Sequence, residues 1–159
     1  MCRVLRFSAR TRHDPQRMRR RNAKVGRRTY VAHDLSAEQF CDLAHATLTV
    51  LRPVIDQVWV DAFSDCPWPA ETQAALALVI RLGHARQGRA SGSGMGIDLD
   101  LSDSDQFAAL VTLAPYTIHA EAYSGRHWVW SVNDTGDSLA TALTAEEFGQ
   151  IGSPWLSAK

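Results

Sequence analysis

The sequence predicts an α+β domain: a mostly antiparallel sheet of about four to five strands packed against a long kinked helix and a second helix. Three observations predict it. Two helix starts follow one capping grammar, short segments alternate apolar and polar residues, and turn residues separate the last three strand-like runs. The elements fall in the order β-α-α-β-α-β-β-β-α.

RTYVAH at 28–33 reads as the first strand. LSAEQF at 35–40 opens the first helix, with Ser36 as N-cap, Gln39 as its capping-box partner, and Leu35 positioned to staple onto Phe40. Phe40, Leu43, Leu48, Leu51, Ile55, Val58 and Trp59 keep a helical period, which extends that helix to about residue 63. Pro53 lies inside it and predicts a kink or break near Arg52. SDCPWP at 64–69 is a turn, and a second helix over about 70–86 buries Ala75, Leu76, Val79 and Leu82.

The 87–96 region is a flexible Gly/Ser-rich loop. Its G-x-G-x-G has a helix before it and a strand after it, the reverse of a dinucleotide-binding loop. IDLDL at 97–101 alternates as a half-buried strand, and SDSDQFAAL opens a short helix capped by Ser102 or Asp103. YTIHAEAY and HWVWSVN form a hairpin about Ser124-Gly125. NDTGD turns into a last strand at 138–143, and LTAEEF repeats the capping box with Thr144 and Glu147.

The hairpin register decides which side chains share a face. A two-residue Ser124-Gly125 loop groups His119, Glu121 and Tyr123 with Trp128 and Trp130. A three-residue loop ending at Arg126 puts Ile118, Ala120 and Ala122 with Trp128, Trp130 and Val132. Burial of two indoles outweighs turn preference, so the second register is expected, with both tryptophans in the core. The expected core is Phe40, Leu43, Ile55, Trp59, Leu76, Val79, Ile118, Trp128 and Trp130.

Charge is segregated. Residues 1–28 hold 11 basic residues against 1 acidic, or +10, and residues 29–159 hold 6 against 16, or −10. This predicts a basic tail, disordered alone, joined to one acidic domain over 29–159. Arg17, Arg19, Arg20, Arg21, Lys24, Arg27 and Arg28 are the candidates for phosphate contact if the tail binds nucleic acid. Three other readings compete: an organellar transit peptide, a segment folding back onto the acidic body, or an untranslated leader with the start at Met18 or Val25.

The longest aliphatic run, AALALVI at 74–80, is far short of the ~20 residues of a membrane helix, and the N-terminus is charged. No membrane association and a cytoplasmic location are expected. Cys2, Cys41 and Cys66 form no disulfide framework.

His119, Glu121 and His127 are weak metal candidates, since two histidines and a carboxylate suit a divalent ion. Polar residues on an exposed strand face are the simpler account, and no cofactor is assigned. Cys41 and His45 share a helix face without a third orienting group, and no hydrolase, zinc-protease or P-loop motif appears. With no catalytic constellation in view, the expected function is protein interaction through an acidic surface, with a basic protein as partner. Nucleic-acid binding by the tail is the alternative.

Overall fold

The computed structural model describes residues 26–64, 66–87 and 94–158. Arg17, Arg19, Arg20, Arg21, Lys24 and most of the 87–96 loop lie outside them. The described chain runs β1 (Arg28–His33), α1 (Ala37–Leu51), β2 (Gln57–Val60), a 3-10 turn (Ala70–Thr72), α2 (Gln73–Gln87), β3 (Ile97–Leu99), α3 (Ser104–Leu113), β4 (His119–Ser124), β5 (His127–Asn133), β6 (Ser138–Leu143), α4 (Ala145–Ile151) and β7 (Ser157–Ala158). The strands form one seven-stranded sheet in the order β3-β2-β4-β5-β6-β1-β7. Every neighbouring pair is antiparallel.

Both capping boxes form. The Ser36 hydroxyl accepts from the Gln39 amide while the Gln39 side chain accepts from the Ser36 amide, and Thr144 and Glu147 repeat the exchange. Glu147 has a second task. Its oxygens take both ends of the Arg27 guanidinium at 2.5 and 2.8 Å, and Arg27 also donates to the Ala142 carbonyl at 2.8 Å. Arg27, counted with the tail on charge, is thus tied to the folded body.

The first helix is shorter than its periodicity suggests. It ends at Leu51, and Val58 and Trp59 belong to β2. Pro53 has no amide hydrogen to continue the ladder, and the next amides, Val54 and Ile55, both return to the Leu51 carbonyl. The Asp56 amide then bonds the Tyr123 carbonyl at 3.0 Å, which starts the pairing of β2 with β4. The expected kink is a full stop, and the residues after it alternate in and out of the sheet. β2 and β7 bring the strands to seven, two or three more than the sequence predicts.

All four described α-helices lie on one face of the sheet. On that face the Trp130 indole N–H donates to the Thr47 hydroxyl of α1 at 3.0 Å. Tyr30 stacks on Phe148 of α4 at 4.4 Å, and Gly83 of α2 abuts Ile97. α3 packs against α1 and α2. The core between the layers holds Phe40, Leu43, Val79 and Trp130, with Ile55 and Leu76 half-buried at its margin. Trp59 and Ile118, expected in the core, are half-buried outside it.

Trp128 is buried but also stands outside that core, and the cause is a β-bulge. Ser124 pairs with His127 and Tyr123 with Trp128, so the turn is the two-residue Gly125-Arg126. Beyond it Ala122 pairs with Trp130 and Ala120 with Val132. Val129 is the extra residue between these two registers. The burial argument is therefore right for Trp130 and Val132 and wrong for Trp128, which shares a face with Tyr123.

The β5–β6 turn carries positive φ at Asp134, Thr135 and Gly136 (53°, 55° and 87°). A Cβ on Gly136 would come within 2.6 Å of the Pro115 carbonyl oxygen. Gly136→Ala combines that clash with a left-handed backbone, and is expected to cost about 2 kcal/mol or more. A urea midpoint equal to the parent's would contradict this.

No helix among the described residues is long and apolar enough to cross a membrane.

Candidate functional site

The sheet face away from the helices is where polar groups gather. β4 turns His119, Glu121 and Tyr123 toward it at alternate positions. Pairing then surrounds Glu121. Trp59 lies across from it on β2 and Ser131 on β5, Asn133 sits opposite His119, and Trp128 opposite Tyr123.

These side chains form a continuous hydrogen-bonded chain. The Tyr123 hydroxyl donates to Glu121 Oε2 at 2.5 Å. Glu121 Oε1 faces His119 Nε2 at 3.3 Å, and His119 Nδ1 lies 2.5 Å from Asn133 Oδ1. With an oxygen facing each ring nitrogen, protonated His119 can donate to both Glu121 and Asn133. The Trp59 ring tilts against His119 at 4.9 Å. Glu121 is only 5 % exposed.

Electrostatics follow from this crowding. Burial lowers the His119 pKa, but hydrogen bonding and attraction from Glu121, with help from Asn133 and Asp61, outweigh it and leave the pKa raised. Burial and the Glu121 carboxylate push Tyr123 well up, so it stays a neutral donor. Asp61, at the end of β2, accepts from the Gly96 amide at 2.6 Å. Burial raises its pKa, against the pull of that bond and of His119.

A raised histidine pKa has a definite consequence for stability. The folded state holds the proton more tightly, so the His119 contribution is complete below the unfolded value of about 6.5 and is lost as pH rises through the folded value. Asp61 acts with the same sign at lower pH. Stability is expected to fall with pH above about 6.5, and His119→Gln to flatten that fall. Parallel pH profiles of the urea midpoint for the two proteins would contradict this.

The other sequence candidates do not converge. His127 pairs with Ser124, so it points to the opposite face from Glu121, and it sits at the other end of the hairpin from His119. Its Nδ1 is buried and has no hydrogen-bond partner among the described residues. The His119, Glu121, His127 set is therefore not brought together. Among the described residues no three His, Cys, Asp or Glu side chains are grouped to hold a metal ion. Cys41 directs its thiol to the Val111 carbonyl at 3.8 Å, while His45 meets Phe107 edge-on. Burial, then Asp42, raises the Cys41 pKa, the opposite of an activated nucleophile. Of the basic candidates, Arg27 is held by Glu147, and Arg28 is exposed at the start of β1.

Trp59, Asn133 and Asp61 were not among the sequence candidates. Asn133 follows from His119 once the hairpin register is settled. Trp59 was signalled by the alternation in QVWV, which the longer helical period masked. Two cavities, of about 340 and about 300 Å³, are lined by other residues and include none of His119, Glu121 or Trp59.

Comparison with family models, with curated proteins and with solved structures found no match to this chain.

Proposed function

We propose that this chain is a protein-interaction module that receives a basic segment of a partner protein on its helix-free sheet face. The observation that carries the reading is Glu121, a nearly buried carboxylate set among Trp59, Tyr123 and His119. A carboxylate beside flat aromatic rings suits a guanidinium, which bonds to carboxylate oxygens and stacks on indoles. The charge of −10 over residues 29–159 adds attraction at longer range. The commitment of Arg27 to Glu147 favours this reading over a phosphate-binding arm that includes Arg27.

The test uses the immobilised full chain and its Glu121→Gln variant, each exposed to native extract at low and moderate salt. The captured protein is then purified and titrated against both. A basic protein that binds the parent and loses affinity for the variant is the expected outcome. Equal binding to both would place the contact elsewhere and overturn the reading.

A further inference from the structure

The helix-free face raises a question of its own. Val31, Ala142, Ser131, Glu121 and Trp128 lie on it, buried but outside the core cluster that the helices cover. The chain carries a matching segment. RMRRRNAK, residues 17–24, contributes five of the positive charges that oppose the acidic body.

We propose that residues 17–24 of this same chain dock on the helix-free face, with an arginine at Glu121 between Trp59 and Trp128. Three features of the fold support it.

The first is where the segment enters. Arg28 pairs with Leu143, Thr141 with Trp130, and Trp128 with Tyr123, so the start of β1 lies at the Trp128–Tyr123 end of the sheet. The second is the turn just before β1. Gly26 has φ of +73° and open space around its α-carbon, a backbone that lets the preceding chain reverse direction. The third is reach. From β1 to β4 is three strand spacings, about 14 Å at ~4.8 Å each. Arg21 stands five residues before Gly26, a span of about 16 Å when extended. Arg19, Arg20 and Arg21 are thus long enough on their tether to reach Glu121, and a short tether holds them there at high effective concentration.

Docking in cis makes the segment an internal competitor. A partner's basic segment reaches Glu121 by displacing it, so the affinity seen from outside is lowered by the occupancy of the tail. The docking itself requires no partner, and its test uses the isolated chain. Failure here leaves the partner reading standing, and failure of that reading leaves this one standing.

Met18 supplies a probe inside the segment. The full chain is made with a photoreactive methionine analogue, illuminated, digested at acidic residues, and its crosslinks mapped. Equal parts of light and heavy-isotope protein are mixed beforehand, to separate crosslinks within a chain from those between chains. The expected result is crosslinks within one chain from Met18 to β2, β4 or β5, near Trp59, Tyr123 or Trp128. Replacing Arg19, Arg20 and Arg21 together with Glu should reduce their yield about tenfold, through loss of charge-assisted hydrogen bonds. Crosslinks to the helices, crosslinks only between chains, none at all, or a yield indifferent to the charge reversal would each overturn the proposal.

Discussion

Trp130→Ala is expected to remove most of the stability of the folded body. Its side chain is fully buried, fills the space between β5 and α1, and satisfies its indole N–H on the Thr47 hydroxyl. Truncating a buried aromatic of this size costs about 3–5 kcal/mol, a large part of the ~5–15 kcal/mol typical of a domain. Trp130→Phe keeps most of the volume and gives up the hydrogen bond, so it should cost about 1–2 kcal/mol. Urea unfolding followed by far-ultraviolet circular dichroism separates the two. An alanine variant within about 1 kcal/mol of the parent would show that Trp130 does not join the sheet to the helix layer.

The second large effect belongs to Glu121. Glu121→Gln keeps the shape and an acceptor for Tyr123 but removes the charge. A guanidinium loses a charge-assisted partner worth about 1.5–3 kcal/mol, so affinity for a basic partner should fall about tenfold or more. The salt dependence of binding should become shallower in the same variant. One measurement guards against a purely structural explanation. Without the carboxylate nothing offsets burial of His119 as strongly, so its titration midpoint, followed by nuclear magnetic resonance, should drop. An unchanged midpoint would mean that Glu121 and His119 are not coupled as described.

Much of this fold is legible where local chemistry decides the outcome. The β1, β5 and β6 boundaries coincide with the runs read from the sequence, and both capping boxes form at the residues that specify them. What escapes is set by pairing at a distance. QVWV is short, and a helical period running through Phe40 to Trp59 hides it. It becomes a strand because β3 and β4 flank it, and neither partner is visible from the stretch itself.

The hairpin shows the same limit more sharply. Turn chemistry and burial gave conflicting registers, and the structure resolves the conflict with a bulge at Val129 that no local pattern announces. The candidate site was half visible for the same reason. His119, Glu121 and Tyr123 alternate on one strand and can be grouped by eye, whereas Trp59, Ser131 and Asn133 arrive through pairing.

The claim at the centre of this account is that the helix-free face takes basic segments. The five tryptophans provide a direct test, because each indole N–H gives its own resonance and only Trp59 and Trp128 lie on that face. The measurement is a titration of the isotope-labelled full chain with an oligo-arginine peptide, repeated on Glu121→Gln. The account predicts shifts at Trp59 and Trp128, little change at Trp68, Trp130 and Trp155, and loss of the response in the variant. Shifts confined to Trp68 and Trp155, or a response that Glu121→Gln leaves intact, would contradict it.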